Sequence, residues 1–354
     1  MIRVLVLGVG GNVSQGIIKA LRKTKMDMRL IGACISPNSA GLYMCDEAYL
    51  SPYAHEEQFM NWLIDICNKC RIDIVFTGVE ENICRIAKDI DFFKAQTRAA
   101  FVSSDYEQIL TGQDKLRTAL WLKDNGCNYP QFCSLDMQRE IEELVDKLGF
   151  PLIAKPRKGK SAQGIYIVNS RQELDEILKL DHYVLQEYIG NDDSEYTVGC
   201  YCSRNRRRMD VIIMHRILKN GTTVWAEVVK DEKIRREAEK ICRAFKPRGP
   251  LNIQMRLNSN GEPVCFELNV RFSGTTAMRA NFGFCDVEAM VREYVLGESI
   301  DSCFQIVCGE AYRYSEEMYI FGGATEKIKK SGKIENVNSF NICFQNTDSC
   351  RADI

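Results

Sequence analysis

The chain has 354 residues, 45% of them hydrophobic, and a formal net charge of -1. This length suits two or three domains rather than one simple core, and the composition is that of a globular protein. The near-zero charge removes any global electrostatic case for nucleic acid, and no apolar run approaches the roughly 18–20 residues of a membrane span.

The opening MIRVLVLGVGG reads directly as a buried strand, without the separate basic and apolar regions of a signal peptide. Glycines and the helical run VSQGIIKALRK follow. RLIGACIS, IDIVFTG and AAFVSS read as further strands, separated by the helical runs HEEQFMNWLIDICNKC and ENICRIAKDIDFFKA. Strands alternating with helices predict a parallel, doubly wound sheet, assigned to residues 1–112.

The pattern changes near Gln113. A helix (DKLRTALWLKDNG) leads to PQFCSL and the amphipathic MQREIEELVDKLG. A strand (PLIAKP), a Gly/Lys loop, a strand (GIYIVNS), a helix (RQELDEILKL) and a strand (YVLQEYI) complete a small α+β unit, 113–188. Residues 189–300 are rich in strands, with one helix before the hairpin LNIQMRLNSNGEPVCFELNVRF and one continuous helix expected after it, TTAMRANFGFCDVEAMVREYVLG. Residues 301–354 form a C-terminal extension with little pattern. Sixteen cysteines are scattered through apolar runs, and the only C-x-x-C, Cys67 to Cys70, lies in a helical pattern with no second pair at zinc spacing. They read as small buried hydrophobes in a reducing cytoplasm.

Three segments carry chemistry. In the hairpin, Asn-Ser-Asn-Gly marks the turn. Alternation places Val264, Phe266, Leu268, Val270 and Phe272 on one face and Glu267, Asn269 and Arg271 on the other, with Gln254 beside them on the first strand. Carboxylate and amide oxygens are hard ligands suited to magnesium, and an adjacent arginine neutralises phosphate. The plain alternative is a solvated polar face. In PLIAKPRKGKSAQGIYIV, Lys155 ends an apolar strand, and Gly159, Ser161 and Gly164 can close backbone amides and a hydroxyl on phosphate. The loop lies between two strands and lacks the Walker spacing. In VLQEYIGNDDSEYTVGCY, an apolar strand runs into Gln186, Glu187, Tyr188 and Ile189, a crossover that can offer backbone groups to an adenine, with the Glu195 carboxylate for ribose hydroxyls. The first glycine loop, GVGGNVSQG, fits a dinucleotide fingerprint imperfectly, because Val13 stands where its third glycine belongs and ACISPNS supplies no acid. Gly10, Gly11 and Asn12 are better suited to an anionic substrate group at a helix N-terminus.

In order and content these segments resemble the ATP-grasp enzymes, particularly the carbamoyl-phosphate-synthase-like branch. The resemblance covers about residues 1–300. It implies a Rossmann-like parallel-sheet domain followed by a two-lobed ATP-grasp fold. It also implies that Lys115 and Lys155 hold ATP phosphates, that Gln186 to Ile189 form the adenine hinge and that Glu195 binds ribose. Gln254, Glu267 and Asn269 then become the magnesium ligands and Arg271 the phosphate-binding arginine. Arg216 is assigned to an acyl phosphate or substrate carboxylate. The implied activity is that of an ATP-dependent carboxylate–amine or carboxylate–thiol ligase working through an acyl phosphate. Its cofactors would be ATP and Mg2+, two ions with Mn2+ as a substitute, and its partners small-molecule acids and amines. Neither nucleic acid nor a membrane is expected, and a homodimer is admitted. The alternatives are an NAD(P)-dependent oxidoreductase or epimerase using the first glycine loop, or a non-catalytic ATP-binding protein.

Overall fold

A computed structural model describes residues 1–159, 163–300, 304–320, 322–335 and 339–341. Four parallel strands, Ile2–Leu7, Met28–Cys34, Glu47–Leu50 and Ile74–Thr77, form the centre of the first sheet, with the short Ala100–Phe101 at one edge. The near-continuous apolar runs of these strands are what burial on both faces requires. Lys333–Glu335 completes the other edge by pairing antiparallel with Glu47–Leu50, so the C-terminal extension returns to the start of the chain.

The second sheet has six antiparallel strands in the order Pro263–Asn269, Leu251–Leu257, Glu195–Cys202, Met209–Lys219, Thr222–Val228 and Glu310–Tyr312. The third has four, Phe132–Ser134, Tyr183–Glu187, Leu152–Pro156 and Tyr166–Val168, all antiparallel. Helices Gln138–Leu148 and Arg171–Ile177 cover this small sheet with their buried Ile141, Leu144, Leu174 and Ile177. The large sheet packs one face on helix Glu232–Phe245 and the other against the first sheet's core, where Tyr201, Ile212 and Met214 meet Val4, Val6 and Phe284.

Two of the long helices expected from the sequence are divided. ENICRIAKDIDFFKA becomes Glu80–Lys88 and Ile90–Gln96. The run after the hairpin becomes Thr276–Asn281 and Asp286–Tyr294, with Gly283 at φ +87° between them, where an added Cβ would fall 2.0 Å from the Gln305 carbonyl oxygen. That close approach ends the first helix, because only glycine fits. The strand Glu47–Leu50 and the helix Tyr106–Gln113 are also present beyond the sequence reading. The thirteen described cysteines are all unpaired, and nine are buried. Burial pushes the Cys67 thiol up to about 12, away from thiolate chemistry. No helix among the described residues is long and apolar enough to cross a membrane.

Candidate active site

The three sheets meet at a cleft of about 980 Å³. The parallel sheet contributes the C-terminal ends of its strands, through Gly11 to Ser14 after Ile2–Leu7 and Gly78 to Glu81 after Ile74–Thr77. Open α/β sheets present ligand crevices at this edge. The small and large sheets supply the facing walls.

On the large sheet, Gln254 lies directly opposite Glu267, and Asn252 opposite Asn269. The Asn258 side chain sets the hairpin turn by accepting hydrogen bonds from the backbone N–H groups of Asn260 and Glu262. The strand pairing slips by one residue between Gln254 and Met255, leaving Phe266 as the extra residue of a bulge. This overturns the simple alternation expected from the sequence. Cys265, Leu268 and Val270 enter the core, whereas Phe266 and Glu267 both line the cleft. Asn269 and Arg271 resume the alternation and line it too. Arg271 donates to the Phe272 carbonyl oxygen at 2.9 Å. Its loop is held from below by Arg279, which reaches Ser273 Oγ and is paired with Asp286, both fully buried.

The small sheet brings Lys155, Ile153, Ile167 and Gln186 to the opposite wall. Lys155 is 9% exposed and stands with Nζ 5.0 Å from the centre of the Phe266 ring. Burial pushes its pKa down to about 8, with the Glu267 carboxylate opposing that shift. Lys115, at the start of helix Lys115–Asp124, donates from Nζ to the Gly159 carbonyl oxygen at 3.3 Å. Arg157, first residue of the basic loop, turns away from the cleft and forks onto Asp114. Gly159 lines the cleft. Gly164, at φ +70°, is absent from the lining and serves the turn beside Tyr183, and Ser161 lies outside the described residues.

Glu187, Tyr188 and Ile189 line the cleft beside Gln186, and the Glu187 carboxylate accepts from the Gln131 backbone N–H. Glu195 lies between two arginines. Arg216 donates from Nε and Nη2 to one carboxylate oxygen, and Arg256 donates from Nε and Nη2 to the other. Burial disfavours this carboxylate, but the two guanidiniums outweigh it and hold its pKa below the usual range. Arg216, assigned from the sequence to a substrate group, is 6% exposed and committed to that pair. His215 lies between two rings, tilted against Tyr196 and edge-on to Trp225. Gly11 and Asn12 line the cleft, whereas Gly10 packs against Ser39 and Cys34.

Sequence reasoning missed Phe266 and Arg256 as cleft residues. Arg256 shares the polar period of Gln254 and was legible. Phe266 was not, because the bulge that turns it inward leaves no sequence mark.

Four buried side-chain atoms lack a hydrogen-bond partner among the described residues: both polar atoms of Gln186, Asn252 Nδ2 and Asn269 Nδ2. Gln186 and Asn269 line the cleft, and Asn252 faces Asn269 across the strand pair. Buried amides without partners are rare, and their concentration here marks a surface shaped for a ligand. Gln254, Glu267 and Asn269 are hard oxygen donors with a single carboxylate, and no group of three His, Cys, Asp or Glu side chains suited to a metal occurs among the described residues. Such a set suits magnesium that arrives with phosphate and keeps its waters.

A family model described as the ATP-grasp domain matches residues 112–275, and the PylC-like N-terminal domain matches residues 4–99. Residues 112–275 form an ATP-grasp domain. This domain holds every cleft residue of the small and large sheets described above. The carbamoyl phosphate synthase large chain of Methanothermobacter thermautotrophicus is 23% identical over 306 residues, 80% of this chain and 28% of that protein. This chain therefore spans less than a third of that relative's length. N5-carboxyaminoimidazole ribonucleotide synthase of Staphylococcus aureus is 22% identical over 75% of this chain and 70% of its own. Among solved structures, N5-carboxyaminoimidazole synthetase of Staphylococcus aureus complexed with ADP superposes with a TM-score of 0.70 at 17% identity, covering 93% of this chain and 84% of that one. Biotin carboxylase of Campylobacter jejuni follows at 0.69 and 16%, covering 88% and 74%.

Proposed function

We propose that the protein is an ATP-dependent ligase that joins a small-molecule carboxylate to an amine (or thiol) through an acyl phosphate, releasing ADP and phosphate. The observation that carries this reading is the pairing of Gln254 with Glu267, beside Asn269 and Arg271, across one cleft from Lys155. A substrate carboxylate attacks the γ-phosphorus, the bond to the β-γ bridging oxygen breaks, and ADP leaves. The amine then adds to the acyl carbon, phosphate leaves, and the amine gives up a proton. Lys115 and Lys155 neutralise the polyphosphate, and Arg271 meets the charge on the transferring group. Gln254, Glu267 and Asn269 would hold magnesium, which when bound supplies Lewis-acid neutralisation of the phosphate oxygens. No side-chain nucleophile is needed, since positioning and charge neutralisation suffice.

Gly11 and Asn12, at the N-terminus of helix Asn12–Lys23, are the candidate contacts for an anionic part of the substrate. The strand Met28–Cys34 supplies no acid beside that loop, which favours the ligase over a nicotinamide-dependent enzyme. We place the enzyme in the cytoplasm, acting on small molecules, with a homodimer as the assembly to test.

The test is ADP release by the purified chain with Mg-ATP, screening amino acids, sugar acids and small dicarboxylates in the presence of amine donors. ADP release that depends on one acid and one amine is the expected result. Tight Mg-ATP binding with no ADP formed under any pairing would leave the non-catalytic alternative, and binding of NAD(P)H in place of ATP would favour the oxidoreductase.

A further inference from the structure

Arg313 lies in the C-terminal extension, outside both matched family regions, which span residues 4–99 and 112–275. Its backbone N–H donates to the Val224 carbonyl oxygen at 2.8 Å, prolonging the pairing of strand Glu310–Tyr312 with Thr222–Val228. From that fixed base its half-buried side chain reaches two segments of the cleft wall. Nε donates to the Thr223 carbonyl oxygen at 2.8 Å, and Nη2 donates to the Gly274 carbonyl oxygen at 2.5 Å. Thr223 and Gly274 both line the cleft. Gly274 follows closely on Arg271 and faces the first glycine loop, where Asn12 Nδ2 lies 3.8 Å from the point that a Cβ on Gly274 would occupy.

Both acceptors of this guanidinium are main-chain carbonyls, and no carboxylate pairs with it among the described residues. Burial lowers its pKa, and no neighbouring acid opposes the shift. Taking a charge partly out of water without a counter-ion costs free energy, so stability alone gives no reason for an arginine here. The two carbonyls give one. A planar fork grips two acceptors at a fixed separation, and a charged donor makes the stronger hydrogen bond. We propose that Arg313 is a positioning residue for phosphoryl transfer: by tying Gly274 to Thr223 it fixes the loop that follows Arg271, and with it the place of the Arg271 guanidinium beside the transferring group. Arg279 holds this loop from below through Ser273 Oγ, and Arg313 holds it from the side. The C-terminal extension is then a working part of the cleft. This rests on the reading of Arg271 as the phosphate-binding arginine of a ligase.

The experiment measures binding of Mg-ADP to the full chain by calorimetry, with and without aluminium fluoride, a mimic of the transferring phosphoryl group. It compares wild type with Arg313→Met and Arg313→Lys. Wild type should bind Mg-ADP roughly 10²-fold more tightly when aluminium fluoride is present, the low end for a transition-state mimic. Both variants should lose about tenfold or more of that gain, because a small misplacement of reacting groups can cost this much. Both should bind Mg-ADP alone within about twofold of wild type. Lysine keeps the charge but not the fork, so it should not rescue. Hydrogen exchange at the amides of residues 272–276 should speed up in both variants and stay unchanged in strand Leu251–Leu257. A folded Arg313→Met that keeps the full gain, or unchanged exchange at 272–276, overturns the inference and leaves the ligase reading intact. Full gain in Arg313→Lys overturns it too, because charge alone then suffices. Loss of Mg-ADP affinity in step with the gain overturns it in favour of a general structural role. No gain in wild type defeats the phosphoryl-transfer reading itself, and the inference with it.

Discussion

The Asp114 carboxylate serves two elements at once. It caps helix Lys115–Asp124 by accepting from the Leu116 N–H at 2.9 Å, and it receives the Arg157 guanidinium, with Nη2 at 2.7 Å. The cap places Lys115 at the first helical position, and the ion pair ties the base of the glycine loop to the same point. The Lys115 N–H completes the link by donating to the Arg157 carbonyl oxygen at 2.9 Å.

Asp114→Asn should keep most of the cap and lose the charge, whereas Asp114→Ala loses both. A missing cap typically costs about 1 kcal/mol. Urea unfolding should therefore place Ala below Asn, with both below wild type, and ATP affinity should fall in both. Burial raises the Asp114 pKa, but Arg157 and the helix N–H groups outweigh this and hold it below its usual value. A depressed carboxyl pKa stabilises the fold above the unfolded value of about 3.9. That contribution is lost as pH falls from there through the lower folded value. Wild type should lose more stability than Asp114→Asn across that acid range.

Lys155 links pH to binding and to folding with opposite signs. Its pKa near 8 means that the ammonium is lost as pH rises past that value. Nucleotide affinity, measured by calorimetry from pH 7 to 9, should fall with rising pH and should become nearly flat in Lys155→Arg. In the ligand-free protein the unfolded state binds more protons between about 8 and 10.4, so stability should rise with pH across that window. Lys155→Ala should weaken ATP binding without lowering the melting temperature of the ligand-free protein. Unchanged ATP affinity in that variant would remove Lys155 from the phosphate site.

Glu267→Gln and Arg271→Lys should each lower ADP formation by roughly 10²–10³-fold, the usual loss for a preorganised contact to developing charge. Glu267→Gln should also raise the magnesium concentration needed for half-maximal rate, because it replaces the one carboxylate of the donor set. Arg271→Lys keeps charge but loses the fork. Near-normal turnover in Glu267→Gln at saturating magnesium would return this strand to a solvated polar face.

Glu195→Gln should unfold at lower urea than any of these variants. It leaves Arg216 and Arg256, whose side chains are 7% and 18% exposed, without their shared carboxylate. Removing one partner of a buried ion pair costs about 3–5 kcal/mol. Equilibrium unfolding separates this from Glu267→Gln, for which we expect a change within about 1 kcal/mol.

The alternating strands and helices of the first hundred residues, the small α+β unit and the Asn-Ser-Asn-Gly hairpin were legible because period and turn chemistry are local properties of the chain. So were Gln254, Glu267, Asn269 and Arg271, because a strand's alternation puts them on one side wherever the strand lies. The grouping of Lys155 with Gln186 was half legible. Each ends or sits in an apolar strand, but only the antiparallel register of Leu152–Pro156 with Tyr183–Glu187 sets them on one wall.

Tertiary structure alone decided the rest. The bulge that turns Phe266 under Lys155 depends on pairing with a second strand, and no single strand's pattern encodes it. The double pairing of Glu195 needs arginines from two flanking strands, 21 and 61 positions away. Gly10 and Gly164 look equivalent to their neighbours in sequence, and only packing against Ser39 or Tyr183 removes them from the cleft. Two short strands of the C-terminal extension, Glu310–Tyr312 and Lys333–Glu335, showed no pattern because they are ordered by the edges they complete, Thr222–Val228 and Glu47–Leu50, rather than by a period of their own. The sequence by itself determined which chemical groups each element carries and on which face. Which of those groups meet depended on contacts between residues far apart in the chain, whose energies appear only once the sheets have come together.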